Sequence, residues 1–339
     1  MRGTIGEMIK YRALLGPVAL VGIFFVAVFW SPFEPHRAPV MAESGDETGV
    51  TAEAGWADED WAVFEAKVRW ALEQRLDTLP LGRSMAEIGR SFVGTAYVPG
   101  TLEVEGPERL VINFQGLDCV TFVENTWALS SFVRAIGQAL GTDAASTLAQ
   151  RPFTEDRYES LLRSARYRDG TIDDYPSRLH YFTDWIGEND RGGRLRDISR
   201  ELGGAYDTEP IDFMSTHTDS YRQLADASFV ARVTLTEQRL TQTGRYFVPE
   251  DRIDEVAGRI QDGDIIAATS TVPGLDVAHT GLALWVDGTL HLLHAPLVGK
   301  EVQISEVSLA DRIRRISGQD GIIVARPWTD PEAVGGMER

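Results

Sequence analysis

The stretch HTGLALWVDGTLHLLH, at residues 279–294, has the pattern of two β-strands joined by a tight turn. Asp287-Gly288 suits a two-residue type I′ turn, because both central residues of that turn need a positive φ. The turn sets the register of the two strands and places Leu284 opposite His291. The hairpin therefore predicts an antiparallel sheet in the last third of the chain.

The same register sorts the three histidines of the hairpin between the two faces of the sheet. Side chains on one face recur at every second residue, so His279 and His294 share a face and His291 points to the other. His279 and His294 become diagonal neighbours, roughly 7–8 Å apart at the backbone. That separation allows an imidazole–imidazole hydrogen bond, with His279 as a base and His294 as the group that orients it. A β-bulge would invert this assignment.

Outward from the hairpin, the order of the secondary structure predicts an α+β fold. Strand patterns also occupy residues 264–268 and 321–325, and a shorter one covers residues 110–114. Apolar residues between Trp56 and Leu76 recur at three- and four-residue steps, which indicates a helix. Helices that precede an antiparallel sheet are typical of the α+β class.

Composition divides the chain into segments of different character. Residues 1–30 are interpreted as a signal peptide or membrane anchor, and residues 31–56, rich in Pro, Gly and acidic residues, as a flexible linker. Residues 57–330 are predicted to form a single domain that contains a large, mostly helical insert at about 140–250. Residues 331–339 form a tail.

The N-terminus predicts export from the cytoplasm. Arg2, Lys10 and Arg12 precede the uncharged apolar run Ala13–Trp30. The run is long enough, or nearly so, to cross a bilayer, and Val40-Met41-Ala42 resembles a signal-peptide cleavage site. In a cleaved or a retained form, the positive-inside rule places the rest of the chain outside the cytoplasm, in the periplasm. A retained run would attach the protein to the inner membrane.

Charge and cysteine content exclude several classes of protein. Asp and Glu outnumber Lys and Arg by 51 to 33, which gives the 339-residue chain a net charge of −18. This balance argues against a nucleic-acid partner, because such binding depends on neutralising phosphates. A single cysteine excludes an intramolecular disulfide and any Cys-based zinc or iron–sulfur site. No cofactor and no metal is predicted.

Cys119 is either an inert buried residue or a reactive thiol. Asp118 can N-cap a long helix that starts at Cys119, and a helix N-terminus favours the thiolate. Asp118 is also a candidate residue for contact with the oxyanion or the substrate. With His279 as base and His294 as orienting group, these residues form the arrangement of an activated thiol nucleophile. The backbone N–H of Cys119 and the side chain of Tyr97, on the preceding Gly-rich loop, are candidate donors to an oxyanion.

The arginine-rich stretch from Arg163 to Arg178 has two interpretations. One is a solvated or salt-bridged face. The other is that arginines such as Arg178 bind carboxylates of a peptide substrate, because a guanidinium binds a carboxylate bidentately. His180 and Tyr181 then line the same groove, or they pack structurally.

A zinc hydrolase would have to be built from Asp276, His217 and the hairpin histidines. The strand register places His291 and His294 on opposite faces, and the chain has no His-Glu-x-x-His motif. The pattern therefore favours a thiol nucleophile over a metal centre.

Several segments resemble, in order along the chain, the motifs of NlpC/p60 cysteine peptidases. The resemblance is closer to the N-acetylmuramoyl-L-alanine amidase-like family of that superfamily and extends over about residues 85–330. The segments that carry it are Gly94–Tyr97, Leu117–Glu124, Tyr175–Tyr181, Gly263–Ile266, His279–Ala283 and His294-Ala295.

The resemblance implies a papain-like core, in which a helix with the nucleophile packs on an antiparallel sheet with the base. It implies cleavage of an amide bond in bacterial peptidoglycan or muropeptides by Cys119, His279 and His294, with Tyr97 near the oxyanion. The insert is much longer than in the compact peptidases and is expected to shape the substrate groove. Two alternatives stay open on the same fold: an inactive module that binds peptidoglycan in the cell envelope, and an acyltransferase.

Overall fold

The computed structural model describes residues 56–140 and 148–328. Within these residues, no helix combines the length and the apolar character needed to cross a membrane. The predicted signal peptide or anchor and the C-terminal tail lie outside the described residues, as does nearly all of the predicted linker. The division of the chain into these segments stays a prediction.

Helices surround a central sheet. The α-helices of the described residues are α1 (Asp58–Glu73), α2 (Leu81–Arg90), α3 (Cys119–Leu140), α4 (Arg151–Arg166), α5 (Phe182–Arg191), α6 (Phe213–Thr216), α7 (Ala227–Thr243), α8 (Ile253–Val256) and α9 (Leu309–Arg315). The strands are β1 (Ala96–Tyr97), β2 (Gly116–Leu117), β3 (Leu195–Asp197), β4 (Ala205–Asp207), β5 (Arg245–Pro249), β6 (Ile265–Ser270), β7 (Val277–Val286), β8 (Thr289–His294), β9 (Gln303–Ile304) and β10 (Gln319–Pro327).

The main sheet has the strand order β4-β5-β10-β6-β7-β8-β9, and β3 also pairs with β10. Every pairing in this sheet is antiparallel. The short strands β1 and β2 form a separate parallel pair. Helices that come first in the chain and an antiparallel sheet that dominates its last third confirm the predicted α+β class.

Side chains alternate between the two faces of the sheet and so build two cores. On β6, Ile265 and Ala267 pack with α1 to α5 on one face, whereas Ile266 and Ala268 pack with α8 and α9 on the other. Helix α3 belongs to the first face. The sheet is therefore covered on both sides, with the cysteine-bearing helix on one side and α9 on the other.

Helix α3 is held in place by a buried polar network. Arg166 on α4 donates from Nε to Glu124 on α3 over 2.7 Å, and both residues are about 1% exposed. A second guanidinium nitrogen of Arg166 donates to the carbonyl of Val111 over 2.8 Å. The hydroxyl of Tyr158 donates to Asn125 over 2.8 Å. These bonds fix the N-terminal half of α3 against α4, and with it the position of Cys119.

Residues 110–114 do not form the strand that their alternating pattern predicts. Their backbone groups bond to side chains instead. The N–H of Phe114 donates to the buried carboxylate of Asp60 over 2.8 Å, and the carbonyl of Val111 accepts from Arg166. The segment is thereby satisfied without a neighbouring strand.

The stretch at 140–250 contains strands as well as the expected helices. Helices α4 to α7 lie in it, but so do β3, β4 and β5. β3 and β5 pair with successive parts of one edge of β10, the last strand of the chain. Part of this stretch is thus a structural component of the main sheet.

Candidate active site

The β7–β8 hairpin has the predicted register. Leu284 pairs with His291 and Val286 with Thr289. The two turn residues, Asp287 and Gly288, both have a positive φ, as a type I′ turn requires. The prediction of the hairpin from its sequence is therefore confirmed.

His279 and His294 lie on one face of this hairpin and bond to each other. Nε2 of His279 is 2.7 Å from Nδ1 of His294, and the two rings meet edge to face. Both residues are buried, at 2% and 3% exposure. Gly281 makes room for the pair, because a Cβ there would come within 2.9 Å of the Cβ of His294.

His291 points away from this pair. Its Nδ1 bonds to the carbonyl of Ser305 over 2.8 Å, beside β9. The structure therefore separates His291 from His279 and His294, as the alternation of side chains along the strand predicts.

Asp118 caps helix α3 at Cys119, as predicted. Its carboxylate accepts from the N–H of Thr121 over 2.8 Å, and its own N–H donates to the Thr121 hydroxyl over 2.9 Å. This reciprocal pair satisfies donors at the helix start. The structure thus assigns Asp118 a capping contact, one residue before the thiol.

The thiol of Cys119 lies against the backbone of β7. The N–H groups of Thr280, Cys119 and Val120 donate towards its sulfur and lower its pKa. Burial acts in the opposite direction, and together with the Asp118 carboxylate it raises the pKa of Cys119 to about 12. The helix start therefore favours the thiolate, as expected, but burial outweighs this effect, so the thiol of the resting site is protonated.

Tyr97 lies beside the thiol. Strand β1 pairs Tyr97 with Leu117, two residues before Cys119. Burial, followed by the charges of Cys119 and Asp118, raises the pKa of the Tyr97 hydroxyl. The hydroxyl is therefore a protonated donor close to Cys119, which is where an oxyanion would form.

Burial keeps both imidazoles uncharged. It lowers the pKa of His279 well below its usual value, and that of His294 to about 3. The positive charge of Arg312 lowers both values further. Arg312, on α9, is a member of this site that the sequence analysis missed, since nothing in its local sequence distinguishes it from Arg314 and Arg315.

Arg178 makes its contacts within the protein. Its guanidinium donates to Glu103 over 2.6 Å and to the carbonyl of Leu102 over 3.0 Å, and lies 3.6 Å from Glu108. The residue is 5% exposed. Arg178 thus binds carboxylates of the protein itself, in the loop before β2. This favours the salt-bridged interpretation of this arginine.

His180 packs on Tyr175. The ring centroids are 4.2 Å apart, and Nε2 of His180 bonds to the Tyr175 carbonyl over 2.8 Å. Burial lowers the pKa of His180 to about 3. Arg178 contacts Leu102 and Glu103, and His180 contacts Tyr175. Within the described residues, these contacts do not include the Cys119 thiol. Their predicted substrate role stays a prediction.

In residues 56–140 and 148–328, no group of three or more His, Cys, Asp or Glu side chains is arranged to hold a metal ion. The site instead combines a buried thiol, two bonded imidazoles and several N–H and O–H donors. These are the groups that acyl transfer through a thiol needs: a nucleophile, a base, an orienting group and donors to an oxyanion.

The chain belongs to the N-acetylmuramoyl-L-alanine amidase-like (AmiA-like) family, whose model matches residues 87–322. No curated protein matches the chain.

Solved structures are similar to this chain over most of its length. An N-acetylmuramoyl-L-alanine amidase from Bacteroides uniformis is 36% identical, with a TM-score of 0.65, over 74% of this chain and 99% of that one. A Bacteroides fragilis protein provisionally described as a xylanase is also 36% identical, with a TM-score of 0.61, over 70% and 98% of the two chains.

A more distant structure shares the fold. A Legionella pneumophila protein of the family DUF1460 is 19% identical, with a TM-score of 0.55, over 79% of this chain and 95% of that one. At this identity the match speaks for the architecture alone.

Proposed function

We propose that this protein hydrolyses an amide bond of bacterial peptidoglycan through a Cys119 thiolate, with His279 as base and His294 as the group that orients it. One observation carries the proposal. Nε2 of His279 bonds to Nδ1 of His294 over 2.7 Å, and Thr280, the residue after His279 on β7, directs its N–H at the Cys119 sulfur. The core is then of the papain-like NlpC/p60 type, with the nucleophile on a helix and the base on an antiparallel sheet.

The two histidines have different roles in proton transfer. Nε2 of His279 is bonded to His294, so exchange with the thiol falls to Nδ1 of His279. His294 accepts at Nδ1, which requires its neutral form, and burial with Arg312 keeps it neutral by lowering its pKa to about 3. His294 thereby holds His279 in the tautomer that accepts a proton at Nδ1.

The reaction proceeds through a thioester. His279 takes the thiol proton as the sulfur attacks the carbonyl carbon, and the oxyanion receives the backbone N–H of Cys119 and the Tyr97 hydroxyl. The C–N bond breaks as His279 gives the proton to the leaving amine. Water then loses a proton to His279 and attacks the thioester, the C–S bond breaks, and the thiol recovers its proton.

The bond we propose is the one in the family's name, between N-acetylmuramic acid and L-alanine. The 36% identity to the Bacteroides uniformis amidase over nearly all of that chain supports it. The protein uses no cofactor in this scheme. An inactive binding module and an acyltransferase remain the alternatives, and both make different predictions for the products.

Residues 43–339, incubated with purified peptidoglycan, are expected to release stem peptides with a free N-terminal L-alanine and glycan chains without peptide. Mass spectrometry of the soluble products measures both. In H₂¹⁸O, the new carboxylate should gain one heavy oxygen, because water is the acceptor.

A Cys119→Ala protein prepared in the same way is the control for contaminating hydrolases. Peptides cut inside the stem would contradict the proposed bond, and transfer to an amine acceptor without heavy oxygen would identify an acyltransferase. Binding to peptidoglycan without any product would identify the inactive module.

We propose that the protein acts in the periplasm, either released by cleavage after residue 42 or attached to the inner membrane through residues 13–30. A reporter that is active only outside the cytoplasm, fused after residue 60, should be active, and a cytoplasmic reporter at the same point should be silent. Replacing residues 13–30 by a polar segment is the matched control and should reverse both results. Activity of the cytoplasmic reporter in the native fusion would contradict export.

A further inference from the structure

Arg312 lies on the face of the sheet that carries both histidines. Helix α9 packs on that face, where Leu309 belongs to the same core as Ala268 and Leu292. Ala268 pairs directly with His279 across β6 and β7. His294 follows Leu292 by two residues and so shares its face.

Arg312 is also at the same end of the sheet as the histidines. One guanidinium nitrogen donates to Oε1 of Gln319 over 3.3 Å. Gln319 begins β10 and pairs with Ser270, the last residue of β6, two positions after the partner of His279. Because Arg312 lies on the same face and at the same end of the main sheet as the two histidines, its guanidinium lies beside the His279–His294 pair.

The guanidinium has no carboxylate partner among residues 56–140 and 148–328, whereas Arg314, two residues away, pairs with Asp254 over 2.6 Å. Arg312 is partly buried, and burial lowers its pKa to about 10. The negative charge of the Cys119 thiolate acts in the opposite direction and raises the pKa of Arg312. Since an interaction between two charges is mutual, the guanidinium favours the Cys119 thiolate in return.

We propose that Arg312 is a positioning residue that provides the positive counter-charge for the Cys119 thiolate and keeps both histidines neutral. The Asp118 carboxylate on α3 and the Tyr97 hydroxyl on β1 interact with the thiol, and His279 and His294, on β7 and β8, interact with Arg312. Arg312, from α9, is the permanent cation in this set.

A fixed positive charge favours every loss of a proton from the cluster, whether the proton leaves Cys119 or His279. Removal of Arg312 therefore raises both pKa values that bound the active pH range. The acid limb and the alkaline limb both move to higher pH. A unit charge several Å away in a partly buried site shifts a pKa by roughly one unit, which is about tenfold in rate on the acid limb.

The test is the pH dependence of iodoacetamide alkylation of the full chain, in which Cys119 is the single cysteine. Arg312→Gln should slow alkylation about tenfold on the acid limb and move both limbs of the kcat/KM profile to higher pH by about one unit. Arg312→Lys, which keeps the charge, should stay within about threefold of the native rate. The inference rests on Cys119 as the proposed nucleophile. Alkylation needs no turnover, so the alkylation rates test the role of Arg312 even if no hydrolysis is found.

Arg315→Gln is the matched control, because it removes an equal charge from an exposed position on the same helix. It should leave both profiles unchanged. An unshifted alkylation profile in folded Arg312→Gln, or an equal shift in Arg315→Gln, would overturn the proposal. If Arg312→Gln does not fold, Arg312→Lys decides: a tenfold slower alkylation in that folded, charge-retaining variant would also overturn it.

Discussion

Cys119→Ala is expected to reduce hydrolysis of peptidoglycan fragments by about 10³-fold or more while the protein stays folded. The proposed mechanism has no other nucleophile, and loss of a nucleophile in comparable sites costs at least this much. The substitution removes one buried sulfur atom at a helix start that Asp118 still caps. The measurement is kcat/KM for one purified muropeptide, with circular dichroism to verify folding.

Ser84→Ala is a matched control for packing, because Ser84 is also a small side chain in a helix and is 1% exposed. Its turnover should be close to that of the native protein. Near-normal turnover by a folded Cys119→Ala protein would end the cysteine-hydrolase proposal and leave the binding module as the better account.

His294→Ala is expected to lower turnover by about 10²-fold or more. It removes the partner of the 2.7 Å bond that, in the proposed mechanism, holds His279 in its reactive tautomer. Loss of an orienting group is less severe than loss of the nucleophile, but it is still large. The measurement is turnover of one muropeptide at a matched folded fraction.

His291→Ala is the control on the same strand and should change turnover by less than about tenfold. His291 bonds to the carbonyl of Ser305, so its loss acts through stability, typically ~1 kcal/mol. A His291→Ala protein more impaired than His294→Ala would contradict the assignment of the orienting group. Equal, small effects would show that another group orients His279.

The histidine pair could be predicted from the sequence because the information is local. The Asp287-Gly288 turn sets the register of the two strands, and with it the relative position of His279 and His294, which are fifteen positions apart. Alternation of side chains then decides the face of each histidine. The helix start at Cys119 was predictable for the same reason, since an N-cap and its partner Thr121 are three residues apart.

Segments whose partners are distant in sequence could not be assigned in this way. The pattern at 110–114 alternates like a strand, but Asp60 and Arg166 satisfy its backbone groups instead. β3 and β5 become strands because β10, more than 70 residues later, offers them an open edge. Neither outcome is visible in the local pattern, because pairing energy depends on which edge is available.

The sequence by itself determined the α+β class, the β7–β8 register and the cap at Asp118, and it predicted roles for Cys119, His279 and His294 that remain proposals. Only the tertiary structure decided how these groups are charged. Burial between α3 and the sheet raises the pKa of Cys119 to about 12, and Arg312 approaches the histidines from a helix that is nearly 200 residues away from Cys119 in the chain. The physical reason is that turns and caps depend on neighbouring residues, whereas desolvation and electrostatic fields depend on every element packed around a group.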